Sequence, residues 1–258
     1  MENLSELIPQ IEGKRVLFIT TKNTDYIRIT QEIDFLSKVA GSLHLIGSKD
    51  RSYAKRLVHV YKELMSLGMD GIDIVFVGFA PQLVIPFFRR KFTGKLLIED
   101  FFISVYDTMV LDRQKFKDGG LVSKLCHKID EKTLAPADYI VCDTKAHGAF
   151  FVSELGADSA KLRVCYLHAD ETIYYERPVG KTDDKNRVLY FGSILNLQGV
   201  DVILEALKYF KDRPDYSFEI IGPMPEKMNA PVQPNVTYID WLSQEDLAEH
   251  IAYTDLCL

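Results

Sequence analysis

The sequence predicts an α/β fold built on parallel sheets, and two observations carry this prediction. Short apolar runs rich in Val, Ile, Leu and Phe recur along the 258 residues, and stretches with helical spacing separate them. Strands of this composition are buried on both faces, as they are in successive βαβ units. With 47% hydrophobic and 26% charged residues, the composition is that of a globular protein, which argues against a disordered chain or a coiled coil.

The first part of the chain contains six predicted strands, with helices between them. These strands are Arg15–Thr21, Ser42–Ser48, Ile72–Phe79, Lys95–Asp100, Asp138–Thr144 and Lys161–His168. Helical spacing covers Arg51–Met69 and Gly120–Ala135. The stretch 169–186 that follows is polar and ends in a charged run. We therefore expect a first domain over residues 1–176 and a linker over residues 177–186.

A second α/β unit begins after the linker, and we expect this domain to cover residues 187–258. Its predicted elements are the strand Arg187–Gly192, the helix Gln198–Asp212, the strands Tyr216–Gly222 and Asn235–Trp241, and a helix capped by Ser243. One apolar stripe on the first helix consists of Val200, Ile203, Leu204, Leu207 and Phe210. The last residues have the character of another buried strand, so we expect the chain to be a fragment of a longer protein.

Charge and cysteine usage narrow the class of protein. The net charge of −6 argues against a nucleic-acid partner, which needs a basic excess. No two of the four cysteines form a CxxC pair, and Cys142, Cys165 and Cys257 have apolar neighbours, so we expect these three to be buried thiols in a reducing compartment. The N-terminus lacks the pattern of a signal peptide, and no apolar run reaches the ~20 residues of a bilayer span. We expect a cytoplasmic protein.

Motifs for several common cofactors and reactions are absent. The chain has no GxG glycine pair, no GxxxxGK[ST] phosphate loop and no GxSxG nucleophile motif. No two aspartates form a DxD pair, and the histidines show neither HExxH nor HxH spacing. The sequence therefore predicts neither a cofactor nor a metal ion.

Two predicted strands of the second domain end on a glycine, and a third ends on an aspartate. Gly192 closes the first strand, Gly222 the second, and Asp240 lies at the end of the third. Because parallel strands end at one edge of their sheet, we expect these residues to line that edge. A glycine there lets a ligand approach the backbone, and the next helix N-terminus offers N–H groups to a phosphate. An ordinary turn at Gly192 is the alternative interpretation.

These segments resemble the retaining glycosyltransferases of family four, which have the GT-B fold. The resemblance covers 187–258 and rests on VLYFGSILNLQGVDVILEALKYF, YSFEIIGPMPE and NVTYIDWLSQEDLAEHIAYTDLCL. Over 15–168 it is weaker and rests on strand order, KLLIEDFFISVYDT and ADYIVCDT. It implies two Rossmann-like domains, the first complete and the second partial. It also implies a nucleotide-sugar donor and transfer across a cleft without a metal.

The resemblance also implies a set of donor-binding residues. They are Gly192, Ser193, Gln198, Gly199, Gly222, Pro223, Asp240 and Trp241. Two of them depart from the family pattern, because Ser193 and Gln198 occupy positions where the family has cations that contact the donor diphosphate. Trp241 is the single tryptophan, and a core position is the favoured interpretation over a platform for the nucleotide base.

The first domain supplies the candidate catalytic and acceptor-side residues. Glu99 and Asp100 occupy the position of the histidine that lies near the reacting sugar in the family, and a solvated turn or a helix cap is the alternative. Thr21, Lys22 and Asn23 follow the first strand and are expected to face the acceptor, with an ordinary polar loop as the alternative.

A basic and aromatic segment at 86–95 suggests a peripheral membrane contact. Arg89, Arg90 and Lys91 lie among phenylalanines, and we expect them to bind anionic lipid at the inner face of the membrane. The alternative is a short surface helix whose aromatic side chains point inward.

These observations predict a hexosyltransferase-type enzyme of polysaccharide or envelope biosynthesis. It would move a sugar from a nucleotide-sugar donor to a carbohydrate or lipid-linked acceptor with retention of configuration. A non-catalytic sugar-nucleotide-binding relative and a nucleotide-sugar epimerase of the same fold are the alternatives. Because the family's E-x7-E signature would follow Leu258, we expect the fragment alone to be inactive.

Overall fold

The computed structural model describes residues 4–178, 183–194, 198–225 and 228–258. The chain divides into two compact units, Met1–His168 and Ala169–Leu258. The predicted domain limits at residues 176 and 187 remain predictions. Part of the predicted linker (179–182), Leu195–Leu197 of the glycine segment, and 226–227 lie outside the described residues.

The first unit is built on a six-stranded sheet. Its strands are β1 (Arg15–Asn23), β2 (Ser42–Ser48), β3 (Ile74–Gly78), β4 (Leu96–Asp100), β5 (Tyr139–Cys142) and β6 (Leu162–Val164). Their spatial order is β2-β1-β3-β4-β5-β6, and every neighbouring pair is parallel. All six strands therefore end at one edge of the sheet. The chain direction across the sheet reverses between β1 and β3, and such a switch point is where open α/β sheets bind ligands.

Helices lie before and between the strands of this unit. They are α1 (Leu4–Leu7), α2 (Ile27–Val39), α3 (Tyr53–Ser66), α4 (Ile85–Phe88), α5 (Leu121–Leu134) and α6 (Lys145–Leu155), with a π-helical turn over Asp107–Asp112. Thr144 caps α6 by accepting a hydrogen bond from the backbone N–H of His147, and Gly156 ends that helix with φ +68°.

Both faces of the first sheet are buried, because successive strand residues point to opposite sides. Phe18, Phe76 and Ile98 pack on the face that α2 covers. Their neighbours Leu17 and Val75 pack on the face that α3 covers. The near-continuous apolar sequence of these strands therefore reflects a parallel sheet with helices on both sides.

The described part of the second unit holds a four-stranded sheet and two α-helices. The elements are β7 (Asn186–Phe191), α7 (Val200–Leu207), β8 (Tyr216–Ile221), β9 (Val236–Ile239), α8 (Gln244–Ala252) and β10 (Leu256–Cys257). The order is β10-β7-β8-β9, again with parallel pairs, so the switch point lies between β10 and β7. The predicted apolar stripe of α7 is confirmed, because it packs on this sheet, and the cap is confirmed, because Ser243 Oγ accepts from Asp246 N.

Several predicted features are wrong in detail. The strand predicted to reach His168 pairs only over Leu162–Val164, and the helix predicted to reach Asp212 is α-helical only to Leu207. Cys257 is exposed because β10 is a two-residue edge strand, whereas Cys126 is buried on the inner face of α5. Within the described residues, no helix is both long enough and apolar enough to cross a bilayer.

Candidate functional site

Aromatic rings and a lysine lie where the strand order of the first sheet reverses. Lys22, near the end of β1, places its Nζ atom 4.7 Å from the ring centre of Tyr26 and 4.9 Å from that of Phe79. The Phe79 ring lies 5.6 Å from that of Phe102, which follows β4. A cation above aromatic faces is favoured electrostatically, so Lys22 joins the segments that follow β1 and β3.

The turn after β3 has an unusual backbone. Phe79 and Ala80 have φ angles of +35° and +53°, which non-glycine residues rarely adopt. The preceding Gly78 is tightly enclosed, because a Cβ there would lie 2.8 Å from Glu32 Oε2 and 2.9 Å from Phe18 Cζ. Backbone strain of this kind costs about 1–3 kcal/mol per residue and is concentrated at binding and catalytic sites.

A buried ion pair joins α2 to the end of β4. Arg28 Nε donates to Asp100 Oδ2 at 2.6 Å, and Arg28 Nη2 donates to Asp100 Oδ1 at 2.5 Å. Both side chains are almost inaccessible, with exposed fractions of 3% and 0%. Burial alone would lower the pKa of the Arg28 guanidinium, but its hydrogen bonds and charge interaction with Asp100 raise it. Asp100 is therefore committed to Arg28.

Two further buried carboxyl groups flank this pair. Glu32, one helical turn after Arg28, has its pKa raised well above the ordinary value by burial and then by the charge of Asp100. Glu99 is fully buried, and neither of its carboxyl oxygens has a hydrogen-bond partner in the described part of the chain. Burial, followed by the charges of Asp130 and Asp100, raises the pKa of Glu99. Both environments favour the protonated form.

Asp130 holds the loops at this edge of the sheet together. Its carboxylate accepts hydrogen bonds from Gln82 Nε2 at 2.9 Å, Ser104 Oγ at 2.7 Å, and the backbone N–H groups of Val105 and Tyr106 at 3.2 and 2.8 Å. Gln82 follows β3, whereas the other three donors follow β4. A buried carboxylate with four donors is well satisfied, so it fixes both loops against α5.

The predicted acceptor-side residues belong to β1 itself, because the strand extends to Asn23 and does not end at Thr21. Thr21 is buried, and its hydroxyl donates to the carbonyl oxygen of Phe79 at 3.4 Å. Asn23 Oδ1 accepts from the N–H of Asp25 in the turn that follows. Of these three residues, Lys22 is the one whose side chain lies over the rings of Tyr26 and Phe79.

The structure also places the predicted catalytic carboxyl groups. Glu99 and Asp100 point to opposite faces of the sheet, and each has an exposed fraction of 0%. The solvated-turn alternative for them is therefore wrong, while a role near a reacting sugar remains a prediction. Arg28 and Glu32 were not predicted from the sequence, although their spacing of four residues places both on one face of α2.

A histidine–aspartate pair lies at the same edge, after β5. His147 Nδ1 is 2.6 Å from Asp143 Oδ1, and the imidazole stacks on Phe151. Burial raises the pKa of the nearby Asp107 carboxyl, an effect that the charge of His147 opposes. No group of three or more His, Cys, Asp or Glu side chains that could hold a metal ion occurs among the described residues.

The glycines of the second unit differ in what surrounds them. Gly192 follows β7 with φ +140°, and Gly222 follows β8 with φ +154°. A Cβ on Gly222 would collide with the carbonyl oxygen of Gly192, so Gly222 permits close packing of the two strand ends. Among the described residues, a Cβ on Gly192 would meet no atom closer than Tyr190 Oη at 3.9 Å and Gln198 Nε2 at 4.0 Å. As far as the described part of the chain goes, Gly192 therefore faces open space at the switch point.

Gln198 borders that space in a defined orientation. The Tyr190 hydroxyl donates to Gln198 Oε1 at 2.9 Å, which leaves the amide Nε2 on the side of Gly192. Gly199 adopts φ +62° and leads directly into α7. Ser193 is exposed, and its carbonyl oxygen lies 3.4 Å from the Tyr190 hydroxyl, whose proton is directed to Gln198 at the shorter distance. Backbone, amide and helix N-terminus thus surround one open position.

The remaining predicted donor residues lie at the ends of β8 and β9. Pro223 and Asp240 are exposed. Trp241 is 75% exposed, so the predicted core position of its side chain is wrong. The reason is that β9 ends at Ile239, and the chain has left the sheet before it reaches Trp241. A cavity of about 350 Å³ in this unit is lined by Arg187, Ser217, Glu219, His250 and other residues, towards the amino ends of β7 and β8. It lies away from Gly192 and plays no part in the site.

In the basic and aromatic segment at 86–95, some side chains are exposed, as a lipid contact requires, and others point inward, as in the alternative interpretation. Arg89 and Arg90 are exposed, and Phe87 is 67% exposed. Phe88 packs edge-on against Tyr61, with ring centres 5.2 Å apart. The inward-pointing alternative thus holds for Phe88 and fails for Phe87, and the lipid contact of Arg89, Arg90 and Lys91 remains a prediction.

Removing one partner of the buried ion pair should strongly destabilise the first unit. We expect Arg28→Met to lower the free energy of unfolding by about 3–5 kcal/mol, because it leaves the Asp100 carboxylate buried without its counter-charge. The double variant Arg28→Met/Asp100→Leu should recover most of this loss. Urea titration measures both, with Arg15→Met, which breaks the exposed Arg15–Asp73 pair, as the matched control. A loss no larger than in the control would contradict the prediction.

Glu99 should make stability depend on pH. Because its pKa is raised on folding, the folded state retains a proton that the unfolded state loses above about pH 4.3. The free energy of unfolding should therefore fall as pH rises from that value towards the raised pKa.

We expect Glu99→Gln to remove this fall, so that its stability relative to wild type grows with pH. Thermal unfolding across a pH series measures the effect, and the exposed Glu63→Gln is the control. Parallel wild-type and Glu99→Gln curves would show that Glu99 ionises normally in the fold.

Comparisons with solved structures show which known fold this chain resembles. No protein-family model and no curated protein matches this chain. Sucrose-phosphate synthase from Thermosynechococcus elongatus matches in structure over 95% of this chain and 74% of its own, with TM-score 0.68 and 12% identity. A glycosyltransferase from Rickettsia africae ESF-5 matches over 95% and 72%, with TM-score 0.58 and 11% identity. The co-structure of S. aureus MnaA with UDP matches over 95% and 74%, with TM-score 0.55 and 12% identity. At these identities the likeness concerns the fold, and the chain has a GT-B-like α/β fold with a Rossmann-like parallel sheet in each unit.

Proposed function

We propose that the protein is a retaining glycosyltransferase, similar to family four, that moves a sugar from a nucleotide-sugar donor to a carbohydrate or lipid-linked acceptor. The observation that carries this proposal is the open position above Gly192, at the switch point of a sheet in a GT-B-like fold. A donor diphosphate has room there to reach the backbone. One of the structural neighbours is a complex with UDP, which supports a nucleotide ligand.

The diphosphate would be held mainly by neutral donors. The first N–H groups of α7, with the partial positive charge of the helix N-terminus, suit phosphate oxygens. Gln198 adds an amide that can donate from Nε2, because Tyr190 already occupies its oxygen. Gln198 and Ser193 thus stand where the resembling family has cations, and the site binds phosphate with less charge.

In the proposed reaction, the bond between the anomeric carbon and the diphosphate oxygen breaks, and the acceptor oxygen bonds to the same face of that carbon. The negative charge that develops on the leaving diphosphate is stabilised by the preorganised donors near Gly192. The acceptor hydroxyl gives its proton to an oxygen of the leaving diphosphate. This route needs neither a metal ion nor a protein base.

The first unit would bind the acceptor at its own switch point. Lys22 and the rings of Tyr26, Phe79 and Phe102 offer a charged and apolar surface of the kind that suits a sugar ring. Glu99, which is fully buried, would stay protonated at this edge of the sheet without touching the acceptor, and Asp100 would position Arg28. We also propose that the protein acts at the cytoplasmic face of a membrane, where Arg89, Arg90 and Lys91 would contact lipid.

Two other functions would use the same fold. The replacement of both phosphate-contacting cations, at Ser193 and Gln198, favours a non-catalytic sugar-nucleotide-binding relative. A nucleotide-sugar epimerase is the other alternative. Incubation of the full-length protein with a panel of nucleotide sugars separates the three: a transferase releases nucleoside diphosphate in the presence of an acceptor, an epimerase changes the donor without one, and a binding protein does neither.

Nucleotide binding should depend on Gly192. We expect Gly192→Val to weaken the Kd for a nucleoside diphosphate at least about ten-fold, because each 1.4 kcal/mol of lost contact is a factor of ten. Isothermal titration of the purified chain with UDP, ADP and GDP measures this. Gly94→Val is the matched control, since it places the same side chain at another positive φ (+78°) with open space around it, in the first unit.

The two glycine variants should lose similar stability, because both put a β-branched residue at a positive φ angle. Only Gly192→Val should lose nucleotide affinity. An unchanged Kd in a folded Gly192→Val protein would overturn the proposed phosphate site, whatever the reaction.

Restoring the missing cation should strengthen the site. We expect Gln198→Lys to tighten nucleoside diphosphate binding about ten-fold at low salt and less at high salt, because the added charge is screened. Gln198→Met should weaken binding, since it removes the amide donor and keeps the side-chain length. If both variants bound like wild type, the diphosphate would lie elsewhere.

A further inference from the structure

The first unit exposes apolar side chains along one continuous stretch of sequence. From the π-helical turn to the second turn of α5 they are Leu111 (40% exposed), Phe116 (37%), Leu121 (89%), Val122 (43%) and Leu125 (58%). Single exposed apolar residues are normal, but five within fifteen positions form a patch. Patches of this kind mark contacts with proteins or membranes.

Cations share this surface. On α5, Leu121 and Leu125 lie on the same helix face as Lys124 and Lys128, because their spacings are three, four and seven residues. All four are exposed, and the opposite face of the helix packs inward with Cys126. We define the α5 surface as the five apolar residues above with Arg113, Lys115, Lys117, Lys124 and Lys128.

The charge of this surface is opposite to that of the chain. Residues 111–128 hold five lysines and arginines against Asp112 and Asp118, a net charge of +3, whereas the whole chain carries −6. Asp118 is also engaged, because it accepts hydrogen bonds from the N–H of Gly119 and the hydroxyls of Tyr106 and Ser123, which lower its pKa. Those bonds also hold the Phe116 loop against α5.

We propose that the α5 surface docks on an anionic lipid bilayer. Leucine and phenylalanine side chains enter the boundary between headgroups and acyl chains, and flanking lysines contact the anionic headgroups, which is the composition of interfacial helices. A second copy of the chain is a poorer occupant, because it would bring two surfaces of charge +3 together at a symmetric interface. The proposal does not depend on a glycosyltransferase activity.

The position of α5 adds a functional consequence. The helix begins after the segment that leaves β4, so its exposed leucines lie towards the sheet edge where the strands end. α4 packs against α5 and carries the exposed Phe87. A bilayer bound here would lie against the end of the first unit at which the strands of its sheet terminate.

Vesicle co-sedimentation of the whole chain tests the proposal. Wild type should sediment with vesicles of phosphatidylcholine and phosphatidylglycerol at low salt, and should remain in solution with phosphatidylcholine alone. Lys124→Gln/Lys128→Gln should weaken the partition constant about 30-fold, because each cation near the surface strengthens binding roughly five-fold. Leu121→Gln/Leu125→Gln should weaken it at least as much.

The matched control is Val202→Gln/Lys211→Gln, which changes an equally exposed apolar residue and an exposed lysine in the second unit. It should sediment like wild type, and circular dichroism verifies that all variants are folded. Wild type that ignores anionic vesicles at low salt would overturn the proposal, as would leucine variants that bind normally. Loss of binding only in Arg89→Gln/Arg90→Gln would move the contact to α4 and also overturn it.

Sedimentation velocity gives the remaining outcome. A dimer of the wild-type chain that dissociates in Leu121→Gln/Leu125→Gln would assign the surface to a second copy and overturn the lipid proposal. Nucleotide titration of the same variants keeps the two proposals apart, since UDP binding should be unchanged in all of them.

Discussion

Parallel pairing of every strand is the constraint on which the rest of the structure depends. Parallel neighbours require a crossover after each strand, so each helix must return the chain to the opposite end of the sheet. All strands of a unit then end together, and the polar or conformationally unusual residues collect at that edge. Lys22 and Phe79 meet there in the first unit, and Gly192 and Gly222 meet there in the second.

Buried charge organises the edge of the first sheet. Arg28 reaches from α2 to Asp100, and Asp130 reaches from α5 to the loops after β3 and β4. Removing one partner of a buried pair costs far more than the pair contributes, so such groups specify geometry more than they add stability. Glu32 and Glu99 lie beside these satisfied carboxylates without equivalent donors, and protonation removes the charge that the fold cannot accommodate.

The sequence was sufficient for what depends on local pattern. Apolar β-branched runs located the strands to within a few residues, and Ser243 and the α7 stripe were recognised from spacing alone. The sequence was insufficient for features that depend on contacts between distant parts of the chain. Arg28 and Asp100 are 72 residues apart, so the spacing of Arg28 and Glu32 on α2 does not identify their partner, and the positive φ of Phe79 has no counterpart in the local sequence. The exposure of Trp241 was missed because hydrophobicity alone does not say where a chain leaves its sheet.

Gly192 and Gly222 illustrate how similar sequence signals acquire different meanings. Each follows an apolar strand, and each has a φ angle that favours glycine. At Gly222 the neighbouring strand end occupies the space of a side chain, so packing alone accounts for the glycine. At Gly192 no atom of the described residues occupies that space, so the φ angle of +140°, and not packing, accounts for the glycine. The space beside Gly192 can admit a ligand, whereas the space beside Gly222 is filled, so the proposed phosphate site of the second unit lies at Gly192.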